Sequence, residues 1–211
     1  MKHNITVFLY GFSEYNQIKP NPTEELLRRI QKYRFHGAEI IIKILEVSYS
    51  KVKNGLYNVF EDETFDIVIG FGACPGCTGF RLEKTAFNRV KSSLQGVDGQ
   101  RIKNGKIIKG GIDAIDTNLD LGKISNVLLD ESVPCYISNM RDLYICNYSY
   151  YIVAHYIKNL RKRVKYIFIH IPLTSEYVCR EKKKIASLPL SLMIIGAKVV
   201  IKEVIKQFKR E

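Results

Sequence analysis

This chain of 211 residues predicts an α/β fold, a single domain built on a twisted, mostly parallel sheet with helices on both faces. Three observations predict it. Short runs rich in Ile, Val, Phe and Tyr recur along the chain, stretches with helical apolar spacing separate them, and no repeat, low-complexity tract or linker breaks the alternation. The runs at 5–11, 39–47, 65–70, 135–138 and 165–171 are short enough for buried strands. Between them, 23–33, 48–60 and 143–159 have helical spacing, and 188–208 predicts a long last helix. Thr23 followed by Glu24 and Glu25 reads as an N-cap with acidic residues in the first turn. The stretch 101–111, with Asn104-Gly105 between two short alternating runs, reads as a β-hairpin inserted into the domain. A hydrophobic content of 46% suits one substantial core spanning 1–211.

Composition narrows the function classes. The chain shows no basic-then-apolar leader and no uninterrupted apolar run near the length of a membrane span, so a soluble, unexported protein is expected, with no membrane partner. Five cysteines, an odd number, argue against a secreted disulfide framework and for a reducing compartment, the cytoplasm. The formal net charge is +12. Its densest clusters are 158–165 and 180–184, both expected to be exposed. Neither is accompanied by a nucleic-acid motif, and the tyrosines are scattered rather than arrayed as a stacking platform. A solvated basic face is therefore expected in preference to a nucleic-acid partner; the competing reading, a basic nucleic-acid-binding module, rests on 158–165.

Two constellations carry chemistry. An apolar run at 135–138, a polar turn and an amphipathic helix place Cys146 in a first helical turn, while His170 closes the next strand. Unpaired N–H groups and the partial positive charge at a helix start favour thiolate over thiol. A histidine within reach would complete a nucleophile and base pair. The alternative from spacing alone is an ordinary buried cysteine and a hydrogen-bonded core histidine. Cys74-Pro75-Gly76-Cys77 has the spacing of a redox pair or half a zinc site. No second Cys-x-x-Cys and no His-x-x-x-His accompanies it, and it follows the third strand instead of opening a helix after the first. Neither a metal nor another cofactor is expected.

The wording around Cys146 is more specific. Tyr136-Ile137-Ser138-Asn139 and Leu143-Tyr144-Ile145-Cys146-Asn147 together resemble the nucleophile segment of the pyroglutamyl peptidases, or pyrrolidone-carboxylate peptidases, a family of cysteine exopeptidases. Further pieces fall in that family's order. Gly11-Phe12, Tyr15 and Asn21-Pro22-Thr23 resemble its N-terminal signature, and Gly72-Ala73-Cys74-Pro75-Gly76 its glycine-containing loop. Glu83, Ala86 and Asn88 resemble its Glu-x-x-Ala-x-Asn element, and Phe168-Ile169-His170-Ile171-Pro172 its histidine strand. Phe12, Gly72, Asn139 and His170 all lie at or just past predicted strand ends, where α/β sheets collect ligands.

The resemblance implies a mechanism and a site. Cys146 is then the nucleophile, His170 the base and Glu83 the carboxylate that orients the imidazole; read without the resemblance, Glu83 is a surface ion pair with Lys84 or Arg81. Phe12, Tyr15, Asn21, Ala73 and Tyr144 match pocket positions for pyroglutamate, a flat neutral lactam suited to aromatic faces and backbone groups. Pyroglutamyl peptides are the implied substrates and a homotetramer the implied assembly. Departures accompany the matches. Relatives carry Ala-Gly where this chain has Arg141-Asp142, and an arginine ten residues after the glutamate where ungapped counting gives Ser93. Arg141 is expected to pair Asp142 or to replace the missing cation on the oxyanion side. The departures also allow a retuned or catalytically silent binding protein on the same fold.

Overall fold

The computed structural model describes residues 4–15, 18–91, 99, 105–138, 143–160 and 162–210. Its elements follow in chain order: β1 (Ile5–Phe12), α1 (Pro22–Ile30), β2 (Ala38–Leu45), α2 (Tyr49–Asp62), β3 (Ile67–Ala73), β4 (Phe80–Glu83), β5 (Thr85–Phe87), β6 (Ala114–Asp116), α3 (Leu121–Asp130), β7 (Cys135–Ser138), α4 (Ile145–Lys158), β8 (Lys165–Ile171), β9 (Leu173–Thr174), α5 (Ser175–Arg180), β10 (Ser187–Leu188) and α6 (Leu190–Lys209). Six strands form one sheet in the order β2-β1-β3-β8-β4-β7. The first four run parallel. β4 runs antiparallel to β8, and β7 runs parallel to β4.

Alternation within the strands divides the core between the two faces. Val7, Leu9, Ile67, Ile69, Phe71, Ile167 and Ile169 pack with α1, α3 and α6, while Phe8, Tyr10, Phe12, Val68, Tyr166 and Phe168 pack with α2 and α4. Helices on both faces leave the central strands no solvent side; every residue of β8 is buried. β7 and β8 have the bounds expected from sequence, and β1, β2 and β3 fall within a few residues of theirs.

Four expectations change. The N-cap of α1 is Asn21, whose side chain accepts the Thr23 N–H at 3.0 Å. Pro22 occupies the first helical turn, where a missing N–H costs nothing. The Thr23 hydroxyl is instead spent on the end of β1, accepting from the Phe12 N–H at 2.9 Å and donating to the Phe12 carbonyl at 3.1 Å. Of the expected hairpin, 101–104 lie outside the described residues, Gly105 forms a bridge to Val90, and 107–110 are bends and a turn. The 158–165 cluster is not wholly exposed: Lys165 opens β8 and gives its Nζ to the Asn118 carbonyl at 3.0 Å, while Lys162 pairs with Asp66 at 2.9 Å. Finally, β4 and β7 run against the other four strands, so Ser138 at the end of β7 pairs with Glu83. It does not share the edge where β1, β3 and β8 end.

Candidate active site

Cys146 is the second residue of α4. The N-cap, Tyr144, makes no side-chain capping bond, so the first-turn N–H groups are not satisfied by a cap side chain. The thiol sulfur lies over β3: an ideal Cβ built on Gly72 would stand 2.9 Å from Cys146 Sγ. Gly72 is the direct register partner of His170 on the neighbouring parallel strand. A side chain at position 72 would press on the sulfur and on the Phe168 ring.

His170 is buried, and its Nδ1 lies 2.7 Å from Glu83 Oε1. Its Nε2 makes no hydrogen bond among the described residues. Cys146, Asn147, Tyr150, Phe168, His170, Glu83 and Thr85 line one tight cavity of about 10 Å³. A carboxylate on Nδ1 turns the other ring nitrogen toward the nucleophile, the arrangement a general base requires. Three elements far apart in sequence, β4, α4 and β8, supply the three groups. Glu83 also pairs with Arg81, Nε to Oε1 at 2.6 Å, but this pair is buried, not on the surface. Lys84, the other partner considered from sequence, lies 3.9 Å from Asp116.

Surrounding residues hold this geometry. The Tyr150 hydroxyl donates to the Glu83 carbonyl at 3.1 Å, and burial keeps that phenol protonated well above its ordinary range. Tyr10 lies below α4, its hydroxyl pushed up chiefly by burial and bonded to Ser149, whose own hydroxyl donates to the Cys146 carbonyl at 2.8 Å. Asn147 accepts from the Phe87 N–H and donates to the Phe87 and Arg89 carbonyls, each at 2.9 Å, which ties the nucleophile's turn to the chain after β5. Asn88 clamps the next loop through Ile108 and Gly111. The sequence motif around Cys146 includes Asn147 but assigns it no role. An asparagine directly after a first-turn cysteine, where its amide can reach backbone beside the helix, was the available signal.

The expected pocket residues differ in placement. Phe12 is buried at the end of β1 with its ring 6.5 Å from that of Phe168, a cavity-lining residue. Ala73 ends β3 next to Gly72, over which Cys146 Sγ lies. Tyr144 stands edge-on to Tyr49 at 6.1 Å, at the start of α4. Tyr15 is half-buried and bridges Ile18. Asn21 is buried at the start of α1, and its amide is engaged by Thr23 and, at 2.9 Å, by the Ser13 carbonyl. Ser93, Asn139, Arg141 and Asp142 lie outside the described residues. Cys74 and Cys77 form a disulfide across a turn in which Gly76 has φ of +90°. Among the described residues no group of three or more His, Cys, Asp or Glu could hold a metal ion.

The model of the family described as pyroglutamyl peptidase matches residues 5–207. The chain belongs to the pyroglutamyl peptidase family. A pyrrolidone-carboxylate peptidase of Pyrococcus furiosus is 29% identical over 172 residues, 82% of this chain and 83% of that protein. One of Coprothermobacter proteolyticus is 27% identical over 198 residues, 94% of this chain and 96% of that protein. Among solved structures, the pyrrolidone carboxyl peptidase of Fervidobacterium islandicum superposes with a TM-score of 0.92 at 27% identity, covering 96% of this chain and 99% of that one. Within this pyroglutamyl peptidase family member, the α/β sheet is thus that of the family fold, and Cys146, His170 and Glu83 line one cavity in it.

Proposed function

We propose that the protein removes an N-terminal pyroglutamyl residue from peptides through a thioester on Cys146. The observation that carries this reading is His170 with Nδ1 on Glu83 and with Nε2 unbonded among the described residues, on the strand beside the Gly72 over which Cys146 Sγ sits. His170 Nε2 takes the thiol proton as sulfur attacks the pyroglutamyl carbonyl carbon. First-turn backbone N–H groups of α4 stabilise the oxyanion, with Arg141 as an added cation on that side. The proton passes to the departing amine, the C–N bond breaks, and the shortened peptide leaves. Water, deprotonated by the same nitrogen, then cleaves the thioester to free pyroglutamate and the thiol.

Phe12, Tyr15 and Tyr144 supply apolar faces for the lactam ring and the backbone at Ala73 its polar edge, while Asn21 holds the loop behind Tyr15 through the Ser13 carbonyl. A substrate with no charged amino terminus leaves nothing for a carboxylate to hold. The departing peptide occupies the 540 Å³ cavity that Phe87, Arg89, Lys106, Asp113 and Leu143 line next to the Asn147 anchor. With this reading go one domain over 1–211, a cytoplasmic location and a homotetramer; light scattering on the purified protein tests the last. Turnover of a fluorogenic pyroglutamyl amide tests the activity. Turnover is expected in the parent and absent in Cys146→Ser, and iodoacetamide is expected to label Cys146 before Cys135 or Cys179. Full activity in Cys146→Ser, with equal labelling of all three thiols, would overturn the mechanism.

A further inference from the structure

Arg81 stands inside the catalytic cluster, and the nucleophile, base and carboxylate scheme gives it no task. It faces His170 directly in the antiparallel register of β4 and β8 and precedes Glu83 by two residues on the same strand face. Its Nε lies 2.6 Å from Glu83 Oε1, and its Nη2 lies 2.9 Å from His170 Nδ1. That same Nδ1 is 2.7 Å from the same Oε1. One carboxylate oxygen thus serves two partners, and one imidazole nitrogen faces both a carboxylate and a guanidinium.

Nδ1 can carry a hydrogen or offer a lone pair, not both. With the hydrogen on Nδ1 it donates to Glu83, and Nε2 keeps its lone pair for the Cys146 thiol. With Nδ1 bare it accepts from Arg81, the hydrogen moves to Nε2, and the base is blocked. A guanidinium does not give up its proton, so it always favours the second arrangement. Among the described residues, the Glu83 carboxylate at Nδ1 opposes it. The same cation resists a positive imidazole while the proton is in transit, and burial of the cluster denies it the screening of bulk water.

We propose that Arg81 is a positioning residue that both anchors Glu83 and rivals it for His170 Nδ1, so that Glu83 works in this peptidase largely by offsetting Arg81. The proposal rests on the assignment of Cys146, His170 and Glu83 made above. It predicts suppression: loss of the carboxylate leaves an unopposed cation beside the base, and removing that cation as well repairs part of the damage.

The test measures kcat and KM for a fluorogenic pyroglutamyl amide in the parent, Glu83→Gln, and Glu83→Gln combined in turn with Arg81→Met and Arg81→Lys. Glu83→Gln alone is expected to lower kcat by about 100- to 10,000-fold at unchanged KM. Adding Arg81→Met is expected to restore about tenfold or more, within the range by which neighbouring residues couple. Adding Arg81→Lys, which keeps the charge, is expected to restore nothing. Where methionine prevents folding, judged by thermal melting, Arg81→Gln makes the same comparison with a neutral polar side chain. A double variant no faster than Glu83→Gln, or equal recovery with lysine, overturns the role of Arg81 while leaving the triad standing. Turnover at the parent rate in Glu83→Gln would overturn the triad and this proposal together.

Discussion

Gly72→Ala adds a single methyl group where β3 passes beneath the nucleophile. The new carbon would stand 2.9 Å from Cys146 Sγ, 2.8 Å from Phe168 Cε1 and 2.9 Å from Phe168 Cζ. Comfortable contact begins near 3.5 Å, so these atoms must retreat by about 0.6 Å or more. Phe168 is buried and packs against Tyr10, Phe12, Tyr150 and His170, which leaves it little room to move. Most of the displacement therefore falls on the sulfur and the start of α4. Overpacking of this kind costs about 1–3 kcal/mol, and each kcal/mol lowers the melting temperature of a chain this long by about 2–4 °C. Misplacing a nucleophile by about 1 Å costs about 100-fold in rate, so kcat is expected to fall by about 10- to 100-fold. Turnover of the fluorogenic amide, read beside a thermal melt, measures both losses. Gly196→Ala is the comparison, because its added carbon meets Phe80 at 2.9 Å and Val133 at 3.1 Å on the opposite face of the sheet. It is expected to lower stability without lowering kcat. If Gly72→Ala kept kcat within about twofold of the parent while losing as much stability as Gly196→Ala, sulfur and glycine would not share the space described here.

Asn147→Ala is expected to cost about 1–3 kcal/mol by leaving the Phe87 N–H and two carbonyls unpaired, and to lower kcat more than it changes KM; denaturant melts and steady-state kinetics measure the two. Asp120→Ala removes the N-cap that accepts the Lys123 N–H at 3.1 Å, at a cost of about 0.5–2 kcal/mol with activity unchanged. Hydrogen bonding to Lys123 holds the Asp120 carboxyl below its ordinary range, so this contribution is present above that range and is lost as the pH falls through the lowered value; acid melts of parent and variant should therefore converge. Burial raises the Tyr10, Tyr150 and Tyr166 hydroxyls, which stay protonated in the folded chain while the unfolded chain ionises near pH 10. The unfolded state then holds fewer protons, so stability is expected to decline as the pH rises above about 10, and melts that stay flat through that range would refute it.

Sequence made the long elements legible because their signal is collective. The apolar run 165–171 reads as a strand and proves to be one of the two central strands, buried over its whole length. Cys146 and His170 were readable because a helix start and a strand end each have local signatures. The short pieces were not. Phe80-Arg81-Leu82-Glu83 has only four residues, two of them charged, and becomes a buried strand because β8 and β7 flank it. α3 carries Gly122, Ser125 and Asn126, poor helix formers, and is held by Leu121, Ile124 and Leu128 packing toward α6. The direction of β4 was likewise hidden, since strand polarity depends on partners that lie on either side of the sheet. With it went the place of Arg81, which sequence offers as one more surface charge and the antiparallel register sets against His170.

The position of β8 also bears on how the chain is made. β3 and β4 follow each other closely in sequence, yet β8, which lies more than eighty residues further on, separates them in the sheet. A nascent chain that has emerged as far as α3 can assemble β1, β2 and β3, but β3 is then left as a bare apolar edge of the kind that pairs with other chains. Domains fold as they are synthesised, so that edge stays open until the C-terminal third arrives. Its closure by β8 is the same event that brings His170 beside Gly72 and against Glu83. Recovery of peptidase activity after dilution from denaturant therefore reports completion of the sheet, and a truncated chain lacking β8 is expected to aggregate rather than persist as an inactive monomer.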